Sequence, residues 1–277
     1  MRPAWSVILL TTLTGAGQGL FLAAFATGGP RYFALLAVAL TAAGLVASFF
    51  HLGRPERAWR TAAKWRTSWL SREVIVLPLF MGLALASFLT DSPWAGWLAA
   101  LACLALFLCT GMIYACLKFL QEWHSPLTVV NFALLGTASG LTLAAALEPS
   151  YASAAIIATL VAAAGRIASL VRNQRLKPRS SLASAIGIKH PRIAQKSQGA
   201  MGGSFNTREF FHGRSPLALR NVKWLFILAA FVIPAALLAA GLPAAAFAVQ
   251  FCGLLAERWF FFAQANHPQN LYYQVIS

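Results

Sequence analysis

The residues best equipped for chemistry lie in one stretch, HLGRPERAWRTAAKWRTSWLSRE, which runs from His51 to Glu73. It holds six Lys or Arg, three Trp, two Glu and one His in a chain that is only 10% charged. A His titrates near neutrality and a carboxylate can be tuned toward it, so His51 and Glu73 can exchange hydrogen bonds and protons with a bound group. Arg54 can stabilise a developing anion, and Trp69 can wall an aromatic ring. Together these suit a quinone, whose carbonyls need hydrogen-bond partners and whose reduction needs protons. The plainer reading has His51 capping the end of one helix and Glu73 favoured by the dipole at the start of the next. Both readings stand on the sequence alone.

Three further polar residues sit where apolar ones are expected. Gln18 lies between Gly15 and Gly19, a GxxxG pair that suits close helix packing, although Gln18 could also line a pocket. Glu257 and Arg258 fall inside the last apolar run, where ionisable groups are costly unless paired or facing a cavity, and they join the candidate quinone-binding residues. Arg166 stands near a helix end, close enough to snorkel to the headgroups. The tail beyond carries His267, Asn270, Tyr272 and Tyr273.

Other chemistries find little support. Haem between helices needs two His at matched depth, and of five His only His51 touches a span. The four Cys (Cys103, Cys109, Cys116 and Cys252) lack the spacing of a zinc or iron-sulfur site and read as small core residues. There is no phosphate-binding loop and no acidic set for a hard metal, so no metal ligands are assigned.

The elements that must position these residues are membrane helices. The chain of 277 residues is 59% hydrophobic, above the roughly half expected of soluble domains. Its apolar runs are about 18 to 24 residues long, enough to cross a hydrocarbon core. The expected spans lie at roughly 5 to 26, 32 to 51, 73 to 90, 95 to 117, 127 to 147, 151 to 171, 224 to 240 and 243 to 265. The fold class is therefore an all-α integral membrane protein with eight transmembrane helices. One domain covers residues 1–277, with a long basic loop at 172–223.

Charge gives the orientation. The loops on one side hold Arg2, six basic residues from Arg54 to Arg72, Lys118 and eleven more from Arg172 to Lys223, whereas the other side holds Arg31 alone. The positive-inside rule then places both termini and all large loops in the cytoplasm. A net charge of +15 is thereby explained without nucleic acid. Trp59, Ala62, Ala63, Trp69 and Leu70 face one way and Arg57, Arg60 and Lys64 the other, as in a short helix lying among lipid headgroups. The long loop mixes aromatic and apolar residues with its charges, which suits an ordered docking surface; attraction to anionic lipid needs only the charge. Arg57, Arg60, Lys189, Arg192, Arg208 and Arg214 are the candidate partner-docking residues.

The motif HLGRPxRAW, followed by SWLSRE at the next helix, resembles the membrane-anchor subunits of the dimethyl sulfoxide reductase type. The segments AIGIKHPRIAQKSQGAMGGSFNTREFFHG and ERWFFFAQANHPQNLYYQ are similar to the branch found with cytoplasmic sulfite-oxidising molybdoenzymes. The resemblance covers essentially the whole chain. It implies an anchor that docks an iron-sulfur subunit and, through it, a molybdopterin catalytic subunit, with those cofactors in the partners only. It also implies quinone, ubiquinone or menaquinone, bound without haem at His51 and Glu73. On this expectation electrons from cytoplasmic sulfite oxidation pass to quinone. A quinol-oxidising anchor and a purely structural anchor are the alternatives.

Overall fold

The computed structural model describes residues 3–50, 52–190, 192–193 and 216–268. Among these, eight helices are long and apolar enough to cross a membrane. They are α1 (Trp5–Thr27), α2 (Tyr32–Phe49), α3 (Trp69–Thr90), α4 (Pro93–Ala115), α5 (Pro126–Leu147), α6 (Ala152–Gln174), α8 (Leu217–Ala239) and α9 (Pro243–Ala263), with a short α7 (Leu182–Ile186) between α6 and α8. No strand occurs among the described residues. Three of the tight turns at one end of the bundle are made by left-handed residues, Gly28 (φ 64°), Asp91 (φ 56°) and Gly241 (φ 74°), which stop a helix within a residue or two.

Two boundaries differ from the sequence expectation. Helix α3 begins at Trp69, not Glu73, because Ser68 caps it by accepting a hydrogen bond from the Ser71 backbone (3.3 Å). Glu73 therefore lies beyond the first turn, and the terminal-dipole reading of it fails. Helix α8 begins well before residue 224, so the described connection runs from Arg175 rather than from Arg172 and ends at α8's start rather than at Lys223. The segment Pro55–Lys64 is a 3-10 helix, and Trp69 and Leu70 belong to α3 instead of to its apolar face.

Helix α1 is central, packing on α2, α5, α4 and α9. Small residues make this possible. A Cβ on Gly19 would fall 2.2 Å from the Gly136 carbonyl oxygen, and one on Gly140 would fall 2.1 Å from the Gly19 carbonyl carbon. The two backbones thus touch with nothing between them, the arrangement that favours helix association where lipid tails remove the hydrophobic drive. On the outside, Leu98, Leu101, Leu104 and Leu108 of α4 are 45–61% exposed at helical spacing, an apolar face suited to lipid.

Helix α8 is interrupted by a π turn, Leu228–Val232. Pro234 has no N–H, so the Ala230 carbonyl lacks its helical donor. Gln250 of α9 supplies one through Nε2 (3.3 Å), as buried backbone in a membrane requires.

Candidate functional site

Glu73 is 8% exposed and points into the bundle, where its Oε1 accepts a hydrogen bond from Thr110 Oγ1 of α4 (2.5 Å). It lines an enclosed cavity of about 10 Å3, room for one water, together with Thr14, Gln18, Thr110 and Phe132. Gln18 is itself anchored, its Nε2 donating to the Cys103 carbonyl (2.9 Å). The GxxxG stretch of α1 therefore does two jobs at once: its glycines meet α5, and Gln18 turns toward α4 and Glu73.

A second polar centre lies between α5, α6 and α9. Glu257 (1% exposed) sits 2.6 Å from Arg166 Nε, and its other oxygen is 3.6 Å from Arg258 Nη1. The close contact to Arg166 is one of charge, since its angle does not give a well-directed hydrogen bond. Two cations and one anion buried together leave an excess of positive charge, which is spread over aromatic faces. The Arg258 guanidinium lies 3.9 Å from the Phe132 ring centre and the Arg166 guanidinium 5.5 Å from that of Phe226. Arg166 does not snorkel: it is 3% exposed and turned inward to Glu257. The sequence signal for it was the presence of an uncompensated Glu257 in another apolar run, which needs a basic partner at similar depth.

The two centres share one side chain. Phe132 of α5 lines both the Glu73 cavity and a second enclosed cavity of about 10 Å3 beside Glu257. Tyr114 of α4 stacks on it (5.4 Å between centroids, 9° between planes).

The remaining candidates are placed less centrally. Trp69 is half-buried and carries the Arg72 guanidinium 4.2 Å above its ring, while Arg72 also donates to the Trp65 and Arg66 carbonyls (both 2.9 Å). Arg54, Arg57, Arg60, Lys189 and Arg192 are exposed on the basic face. None of these lines the Glu73 cavity. His51, Arg208 and Arg214 lie outside the described residues. Among the described residues no three His, Cys, Asp or Glu side chains converge as a metal site.

The model of the DMSO reductase anchor subunit (DmsC) family matches residues 3–233. The chain belongs to that family. Over the full length of both chains it is also 50% identical, across 328 aligned positions, to the C subunit of the sulfite dehydrogenase of Allochromatium vinosum. As a DmsC-family anchor, the chain has the role of tying partner subunits to the membrane, and its eight helices are the means of attachment.

Proposed function

We propose that this anchor binds quinone beneath its basic face and passes to it electrons from sulfite oxidised in a partner molybdopterin subunit, by way of an iron-sulfur subunit. The observation that carries the reading is Glu73: a buried carboxylate one turn inside a membrane helix, sharing a small cavity with Gln18, Thr14 and Thr110. A carboxyl there has no packing role that Leu would not fill better, and its desolvation is costly. It suits a group that gives up and regains a proton at a quinone oxygen.

The donor set fits a quinone's carbonyls, but the closed cavity holds a water and not a ring. The ring therefore docks where residues 52–68 meet the start of α3, with Glu73 reached from below. Arg54 supplies positive charge toward the reduced oxygen, and such charge is worth most where water is scarce. Glu257 and Arg258 do not border this mouth; their part is proton supply and charge. Support for sulfite as electron source is the 50% identity to a sulfite dehydrogenase subunit. Support for a cytoplasmic basic face is the confinement of nearly all loop Lys and Arg to one end of the bundle. The partner seats on that face, over Arg57, Arg60, Lys189 and Arg192.

The test uses membranes carrying the assembled complex. His51→Ala and Glu73→Gln are expected to reduce sulfite-to-quinone turnover by about a hundredfold, the usual range for loss of a proton-transfer group. Turnover to an artificial dye that takes electrons from the soluble subunits is expected to stay unchanged. Normal quinone turnover in both variants would reject the assignment.

A further inference from the structure

Several buried polar atoms have no hydrogen-bond partner among the described residues, and six of them belong to residues lining the same enclosed cavity: Glu122 Oε2, Asn131 Oδ1, Arg166 Nε and Nη2, Glu257 Oε2 and Gln264 Nε2. Asn131, Arg166 and Glu257 are each at least nine-tenths buried. Three of the six atoms are acceptors and three are donors. The cavity, about 10 Å3, is the size of one water, which gives two hydrogen bonds and accepts two. No apolar occupant would answer this lining.

Glu122 connects that cavity to the outside. It belongs to the connection between α4 and α5, and it also lines an open, vestibule-like cavity of about 690 Å3 with Lys118, Gln121, Asn173, Arg179 and His267. The connection is pinned. Arg172 donates to the Gln121 carbonyl (3.1 Å) and the His124 carbonyl (2.9 Å), and Trp123 Nε1 donates to the Phe261 carbonyl (2.8 Å). On the inner side Phe132 lines both the Glu257 cavity and the Glu73 cavity. Polar groups thus stand on both sides of that ring, which packs against Tyr114, Phe261 and the Arg258 guanidinium.

We propose that Glu122 and Glu257, bridged by water in this cavity, form the proton-uptake route that recharges Glu73. The route rests on the quinone reading for its destination. Reduction of a quinone to a quinol takes two electrons, from the iron-sulfur partner, and two protons. When a Glu73 carboxyl O–H breaks and a quinol O–H forms, the carboxylate left behind takes a proton from the water chain. That proton is replaced through Glu257, then Glu122, then the vestibule, so charge balances at each transfer. Phe132, which lines both cavities, is the side chain this transfer passes.

Among the described residues, the charged groups along the route are these. Glu257 faces Arg166 from α6 and Arg258 from its own helix, Glu122 from the α4–α5 connection, and Tyr114 and Glu73 from across Phe132. Glu122 faces Lys118, Arg179 and His267 around the vestibule, with Arg172 holding its backbone segment. Burial pushes the His267 imidazole below its ordinary pKa, so it is neutral at neutral pH and does not block cation entry.

The experiment compares Glu122→Gln and Glu122→Asp in the full complex, with sulfite as donor and either quinone or dye as acceptor. Glu122→Gln is expected to slow quinone reduction about tenfold or more, move the alkaline limb of its pH profile downward and raise its solvent isotope effect. Dye reduction stays at the wild-type rate, and Glu122→Asp recovers much of the loss. A Glu122→Gln complex with the wild-type quinone rate, pH profile and isotope effect overturns the proposal. A density map of the wild-type complex serves in addition, whatever the variants do. An ordered water bonded to Glu257 and Asn131 supports the route, and a cavity filled by side chains overturns it. If the wild-type complex reduces dye but no quinone, the underlying quinone reading fails instead, a separate result.

Discussion

At the scale of single residues, the buried ions set the sharpest expectations. Glu257 lies between two guanidinium groups, so removing it leaves two like charges facing each other away from water. Glu257→Gln is expected to destabilise the anchor by about 3–5 kcal/mol, the usual cost of orphaning a buried charge. Arg166→Met should cost distinctly less, because Glu257 keeps Arg258 at 3.6 Å. Thermal unfolding of the detergent-solubilised chain, followed by circular dichroism, gives the order; the reverse order would mean that Arg166 alone carries the pairing. The sequence showed that Glu257 and Arg258 were out of place in an apolar run, because cost against hydropathy is a local property. It did not show that Arg166 was their partner. A cation near a helix end has two outlets, headgroups or a buried anion, and only the packing of α6 against the rest of the bundle chooses between them. Glu73 was legible as a candidate from its place at the end of the polar stretch that begins at His51, but its inward direction follows from the Ser68 cap, which starts the helix four residues earlier than hydropathy places it.

At the scale of elements, α1 and α5 depend on having no side chains where they meet. Gly140→Ala would set a methyl 2.1 Å from the backbone of α1, a clash that no rotamer relieves. It is expected to cost several kcal/mol and to reduce the amount of folded anchor in membranes. Gly82 of α3 has nothing within 4 Å of the same position, so Gly82→Ala should stabilise by up to about 1 kcal/mol through helix propensity alone. Equal effects of the two changes, measured as folded yield and melting temperature, would contradict the α1–α5 contact. A second expectation concerns residues 52–68, which the Arg72 bonds and the Lys64 turn hold to α3. If a quinone ring docks there, a tight-binding quinone analogue should alter hydrogen exchange in this segment and leave the turn at Gly241 unchanged. The number of helices was readable from hydropathy because each span needs its own apolar run. The start of α8 was not, because Arg220 and Lys223 lie within its first turns and lower the local hydropathy without breaking the helix.

At the scale of the whole molecule, orientation in the membrane is what links the buried groups to a partner. The basic end carries the 3-10 segment, the α4–α5 connection with Glu122 and the α6–α8 connection. The other end carries Arg31, which is held by Asp91 (3.3 Å), so its one loop cation is neutralised. This imbalance was legible without a structure, since it requires only the order of spans and a count of Lys and Arg. The surface that meets a partner subunit was not, because it depends on which exposed charges lie side by side after folding. Single cysteines at Thr67 and Ser150 report on the two ends, both positions being exposed, in a background with the exposed Cys116 and Cys252 replaced. With a membrane-impermeant maleimide, Thr67→Cys should label only in inside-out vesicles and Ser150→Cys only in right-side-out ones. The opposite pattern would put the Glu122 vestibule and the mouth above Glu73 on the outer surface. The protons consumed at quinone would then come from outside the cell, and a cytoplasmic sulfite-oxidising partner could not reach its seat. The labelling therefore decides the sidedness of the electron donor and of the proton source together, because both enter through the same face.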